Sequence, residues 1–212
     1  MQNDDMINIR NLSVTFRRGG KSVKAVNGVN LVVKPGEVVA LLGESGSGKS
    51  VTMRSLLRLH PKGTLVEGGM SIDGRDITGL SSRALSDLRG AVVSMVFQEP
   101  RLALDPVYTV GSQIEETIMR HENVSRTVAA QRALALFQKV RIPSPERRLG
   151  NYPHEMSGGM LQRAMIAMAL ACNPKVLLAD EPTTALDATV QIQILLLIRE
   201  LQKEYGLSVI FV

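Results

Sequence analysis

The segment Gly43-Glu44-Ser45-Gly46-Ser47-Gly48-Lys49-Ser50 constrains this chain more than any other. It lies directly after the continuous apolar run Val38-Val39-Ala40-Leu41-Leu42, which reads as a strand buried on both faces, and before a helical stretch over 49–59. Two glycines with four residues between them, followed by Lys and Ser, match the phosphate-binding P-loop. Glycines permit positive φ, so that successive backbone N–H groups wrap around a phosphate. The following helix adds a partial positive charge at its N-terminus. In this arrangement Lys49 reaches phosphate oxygens and Ser50 offers a hydroxyl to Mg²⁺.

A chain of 212 residues fits one large domain, or a core carrying an inserted subdomain. The hydrophobic share is 44% and the charged share 21%, which excludes disorder for the bulk of the sequence. The opening MQNDDMINIR is acidic and polar where a secretory leader is basic and then apolar. No run approaches the ~20 apolar residues of a membrane span, and the single cysteine, Cys172, fits a reducing compartment. The sequence therefore reads as soluble and cytoplasmic. The net charge is +5, yet the longest basic clusters are pairs such as Arg147-Arg148 and aromatic residues are 3% of the chain. With neither a basic run nor a row of stacking rings, nucleic acid is not expected as a partner.

Short strands are expected at Ile7-Asn8-Ile9, Val14-Thr15-Phe16, 29–33, Met70-Ser71-Ile72 and 92–97. From Gln98 to Tyr152 strand signals give way to helical spacing over 110–121 and 126–140. In the second of these helices Val128, Ala133, Leu136, Phe137 and Val140 share a face. The α/β texture then returns, with Ser157 as an N-cap, a strand Val176-Leu177-Leu178-Ala179, a helix over 188–205 closed by Gly206, and a last strand over 207–212. Asp180 and Glu181 end the Val176 strand at its C-terminal edge, where open α/β sheets bind ligands. Asp180 is suited to hold Mg²⁺ and Glu181 to act as general base on an attacking water.

The P-loop, Gln98, Met156-Ser157-Gly158-Gly159-Met160, Asp180-Glu181 and Ala185-Leu186-Asp187 stand in an order and spacing that resemble the ATP-binding cassette (ABC) ATPases over essentially the whole chain. The resemblance implies a P-loop NTPase (RecA-like) α/β core with an N-terminal antiparallel β subdomain and an inserted helical subdomain. The core then comprises 1–97 and 158–212, and the helical subdomain 98–157. It further implies ATP and Mg²⁺ as ligands, with Gly43, Glu44, Ser45, Gly46, Ser47, Gly48, Lys49, Ser50 and Val51 along the nucleotide and Phe16 against adenine. Ser50, Gln98 and Asp180 would attend the metal, and Glu181, Lys49 and Gln98 the chemistry. Ser157, Gly158, Gly159 and Asp187 would serve a nucleotide held by a second subunit.

Three stretches resemble the peptide importer branch: Phe97-Gln98-Glu99-Pro100 with 104–111, Tyr152-Pro153-His154-Glu155, and 180–187. That likeness implies an ATPase on the cytoplasmic face of the cell membrane. It would pair with a second cassette and two permease subunits, served indirectly by a solute-binding protein. Family members continue past the last strand to a histidine that contacts the γ-phosphate, whereas this sequence stops at Val212. A truncated chain that binds Mg-ATP with little turnover is therefore expected. The alternative is a non-transport cassette ATPase of DNA repair or translation; those relatives carry coiled-coil insertions, zinc modules or paired cassettes.

Overall fold

The structure, a computed structural model, describes residues 5–212; the first four residues of the polar opening segment lie outside it. Strand β1 (Ile7–Arg18) and strand β2 (Lys21–Val33) form an antiparallel hairpin turned by Gly19 and Gly20, both at positive φ. Two consecutive residues at positive φ give the tight turn whose twist matches that of paired strands. Strand β4 (Leu65–Ile72) pairs on the other side of β1 and carries the short β5 (Arg75–Asp76), giving the order β2-β1-β4-β5. The two short strands expected at 7–9 and 14–16 are thus one strand. Bulges after Ile9 and Leu12 interrupt its alternation, and Asn11 sits at φ 51°. Gly68 faces this irregularity: a Cβ there would lie 2.6 Å from the carbonyl oxygens of Arg10 and Asn11.

A second, parallel sheet combines β3 (Val38–Ala40), β6 (Val93–Val96), β7 (Val176–Ala179) and β8 (Ser208–Phe211) in the order β3-β8-β7-β6. Its side chains alternate between two cores, as the two-residue repeat of a strand requires. Val176, Leu178 and Ile210 meet the antiparallel sheet together with Met53 and Leu56 of helix α1 (Lys49–Leu56). Leu177 and Val209 face helices α7 (Gly158–Ala169) and α8 (Ala188–Tyr205). The run at 38–42 is not buried on both faces as expected. Strand β3 is an edge strand with β8 as its neighbour, Val38 is exposed, and Leu42 is 91% exposed beyond the strand's end. Helix α1 also stops at Leu56, short of the expected 59, and Arg58 takes a positive φ just beyond it.

Helix α2 (Ser82–Ala91), which the apolar spacing did not reveal, leads into β6. Every element between β6 and α7 is helical: α3 (Pro100–Ala103), α4 (Val110–His121), α5 (Arg126–Lys139), α6 (Pro145–Leu149) and a 3₁₀ turn at Pro153–Glu155. Thr109 and Ser125 cap α4 and α5 by accepting bonds from backbone N–H groups three residues on. Ile114, Ile118, Ala133 and Phe137 pack with Leu161 and Met165 of α7, fixing this helical layer to the parallel sheet. The face expected on α5 is shifted: Val128 is exposed and Ala129 takes the buried position. Cys172 is half buried and donates to the Thr117 carbonyl at 3.5 Å. Burial pushes its thiol up to about 11, which keeps it a packing group rather than a nucleophile.

Candidate functional site

The C-terminal ends of β3 and β7 bring the site together. After β3 the chain opens into the loop 43–48, exposed except at Gly48, which begins α1 with φ 93°. Glycine is required at this point for two separate reasons. The left-handed backbone disfavours a side chain, and a Cβ would stand 2.5 Å from the Ala25 carbonyl oxygen. Gly48→Ala is therefore expected to lower stability by about 2–4 kcal/mol, combining left-handed strain with overpacking. A urea titration with a slope like that of wild type would show this as a lower midpoint; an unchanged midpoint would mean that the loop relaxes freely.

Lys49 arches back over the loop. Its Nζ donates to the carbonyls of Gly43 at 2.8 Å and Glu44 at 2.7 Å, with the Ser47 hydroxyl at 3.5 Å. One residue on, the Ser50 hydroxyl donates to Asp180 Oδ1 at 2.6 Å. Asp180 is fully buried, and its backbone N–H extends the sheet pairing to Val96 O at 2.9 Å. Its other oxygen, Oδ2, pairs with Arg54 Nη2 at 3.3 Å, one helical turn after Ser50.

Glu181 follows at φ 45°, a left-handed conformation that costs a non-glycine residue on the order of 1–3 kcal/mol. Two bonds hold its carboxylate there: Gln98 Nε2 and the Thr184 hydroxyl each donate to Oε2 at 3.0 Å. Gln98 comes from the end of β6, so three segments distant in sequence (the P-loop, 98 and 180–184) converge at one sheet edge. Ser50 and Asp180 present two hard oxygen ligands side by side, and Gln98 stands next to them through Glu181. Mg²⁺ is normally held by one or two such oxygens together with waters and substrate phosphates, so this donor set fits it.

A second group lies at the start of α7. Ser157 caps the helix by accepting from the Met160 N–H at 3.4 Å, and both Ser157 and Gly158 are exposed. A Cβ on Gly159 would lie 3.0 Å from Val190 Cγ1, and one on Gly158 would lie 3.5 Å from Leu186 Cδ2. The Ser157 turn thus rests on the 185–190 segment. There Asp187 is exposed and caps α8 by accepting from Val190 N–H at 3.0 Å. Gln191 braces the same segment, donating through Nε2 to Thr183 O at 3.2 Å and Leu186 O at 3.0 Å. A cleft of about 370 Å³ lined by Gln98, Gly158, Gln162, Thr184 and Leu186 connects the two groups.

Phe16 is half buried against the antiparallel-sheet core, and its ring meets the His60 ring edge-on at 5.8 Å. His154 stacks on Tyr152 at 5.7 Å, a packing contact within its own turn. Sequence reasoning did not pick out Arg54, Thr184 or Gln191. The partner of Arg54 is visible only once distant segments meet, although the Ser50-to-Arg54 spacing of one helical turn places both on one face of α1; Thr184 and Gln191 bond within their own turn, three to eight residues away.

The family described as ABC transporter matches residues 26–184. The chain is 51% identical to a probable peptide ABC transporter ATP-binding protein of Sinorhizobium fredii, covering 99% of this chain and 63% of that protein. It is 46% identical to the oligopeptide transport ATP-binding protein OppD of Bacillus subtilis, over 98% of this chain and 58% of that one. The chain thus spans about 60% of the length of these curated relatives. Among solved structures, a dimeric ATP-binding cassette in a post-hydrolysis state bound to ADP and Pi superposes with a TM-score of 0.86 at 32% identity, covering 97% of this chain and 87% of that one.

Proposed function

This chain belongs to the ABC transporter family, with the P-loop NTPase fold of its cassettes, and from that premise we propose that it binds and hydrolyses Mg-ATP as the motor of a peptide importer. The observation that carries the reading is the convergence of Ser50, Gln98, Asp180 and Glu181 beside the Lys49 loop. Such a constellation handles a polyphosphate: amides and an ammonium for its charge, hydroxyl and carboxylate oxygens for the metal, and a carboxylate for water.

The N–H groups of 43–48 and of the first turn of α1 cradle the phosphates, and Lys49 exchanges its bonds to Gly43 and Glu44 for the β- and γ-oxygens. Magnesium, when bound, neutralises charge that develops on the phosphates during transfer. Ser50 and Asp180 would hold it, with Gln98 beside them. Glu181 takes a proton from water through Oε1, the oxygen opposite the one that Gln98 and Thr184 hold, as the water oxygen bonds to the γ-phosphorus. The bond from that phosphorus to the β–γ bridging oxygen breaks, and the electron pair leaves with ADP. Gln98 and Thr184 keep the Glu181 carboxylate aimed during this step. Phe16, at the end of the hairpin, is placed against the adenine ring in this reading.

The exposed Ser157 turn and Asp187 are offered outward, and we assign them to the nucleotide held by a second cassette. Two chains then enclose two ATP molecules, and closing and reopening the pair drives two permease subunits supplied by a solute-binding protein. In this account residues 98–157 form the helical subdomain that grips the permeases. Among the described residues no helix is long and apolar enough to cross a membrane, so the account places the chain peripherally, on the cytoplasmic face. Purification of the tagged protein from its host in mild detergent tests the proposal. The expected result is recovery with a second cassette and two hydrophobic subunits, and phosphate release stimulated by peptide-loaded binding protein. Recovery with nucleic acid and no membrane subunit would overturn it.

A further inference from the structure

We infer that Arg54 is a positioning residue that sets the strength of metal binding, by sharing the Asp180 carboxylate with the cation. The inference rests on the proposed Mg-ATP site. Asp180 is fully buried, and each of its oxygens has a separate partner: Ser50 on Oδ1 at 2.6 Å and Arg54 on Oδ2 at 3.3 Å. A buried carboxylate without a compensating charge is strongly disfavoured, so the guanidinium stabilises the folded site.

The same guanidinium opposes a second cation on that carboxylate. Two effects of Arg54 on Mg²⁺ therefore compete. By fixing Oδ2 it orients Oδ1 toward Ser50, which favours the metal by the value of one ordinary hydrogen bond. By placing a unit charge beside the ligand oxygen it repels a divalent ion, an interaction doubled by the ion's charge and only partly screened. Repulsion wins this comparison. The Arg54 side chain is 44% exposed, which moderates the effect without cancelling it. It also borders an open cleft of about 210 Å³ shared with Phe97, Gln98 and Glu99. That cleft gives the guanidinium room to withdraw and an acidic side chain to meet. Arg54 thus stabilises the Ser50–Asp180 pair and weakens the hold on Mg²⁺, keeping the metal exchangeable between turnovers.

The test is Mg²⁺ titration of binding to a fluorescent ATP analogue, beside thermal unfolding without ligand, for wild type, Arg54→Gln and Arg54→Lys. Glutamine keeps a polar side chain of shorter reach and removes the charge; lysine keeps the charge. Arg54→Gln is expected to move the Mg²⁺ midpoint to lower concentration by roughly three- to tenfold, and to lower the unfolding temperature measured without ligand. Arg54→Lys should remain near wild type in its Mg²⁺ midpoint. A midpoint for Arg54→Gln that is unmoved or higher, with wild type binding normally, overturns the inference alone. Equal shifts for both variants also overturn it, because charge would then not be the cause. Wild type that fails to bind the analogue with Mg²⁺ overturns the parent proposal and this inference with it.

Discussion

Lys49→Ala is expected to cut ATP hydrolysis by about 10²–10³-fold, the scale on which removing one preorganised charge-stabilising group slows a reaction. The fold should tolerate the change. The Lys49 ammonium bonds to backbone carbonyls and a hydroxyl of an exposed loop, and the residue is half exposed. Losing such contacts usually shifts stability by less than about 1 kcal/mol. The predicted signature is a large loss of turnover with a nearly unchanged melting temperature. Phosphate release by the protein assembled with its partner subunits, beside thermal unfolding of the same variant, would read both. Turnover within tenfold of wild type would show that the loop does not act through this ammonium, and a collapse of the melting temperature would mean that the loop's own geometry depends on it.

Legibility in the sequence followed the distance over which each feature is determined. The P-loop is written within eight residues, because its glycines, lysine and serine act on backbone and ligand at close range. Asp180 and Glu181 are legible since an all-apolar strand of four residues that ends in two carboxylates leaves them only the sheet edge. Helices α4 and α5 were legible from the helical spacing within their own segments. The burial of strand β3 is a non-local property: an apolar pentapeptide does not encode how many neighbours the sheet will give it, and among the described residues it has one. The single long β1 reads as two strands for a related reason, since the bulges after Ile9 and Leu12 disturb the two-residue alternation that marks a strand.

The site shows the same division. Arg54 and Asp180 are 126 residues apart in sequence, and Gln98 and Glu181 are 83 apart. Gln98 was still found, because its motif resembles a family pattern. Arg54 has no such marker and reads as one more polar residue on an amphipathic helix. The left-handed backbone at Glu181 was equally hidden, although it decides where the carboxylate points. Local propensity would assign that conformation to Gly or Asn, and Gln98 and Thr184 supply the bonds that hold it instead.

The Glu181 constraint leads to the second large effect. Glu181→Gln preserves size and leaves an oxygen able to accept from Gln98 and Thr184, so the strained turn should persist. It removes the negative charge and the capacity to take a proton. Loss of a positioned general base commonly costs about 10²–10⁴ in rate, while the change leaves alone the P-loop, Ser50 and Asp180, to which the proposal gives phosphate and metal. Binding should therefore survive where hydrolysis does not. If the exposed Ser157 turn and Asp187 complete a partner's site, the variant should accumulate as an ATP-bound dimer, because the step that reopens the pair is blocked. Light scattering in Mg-ATP separates the outcomes. A stable dimer with stoichiometric ATP supports both the base and the shared site. A monomer that binds ATP without hydrolysing it supports Glu181 as base but removes the role given to Ser157, Gly158 and Gly159. Hydrolysis at the wild-type rate would leave Glu181 a structural brace for the 180–187 turn and nothing more.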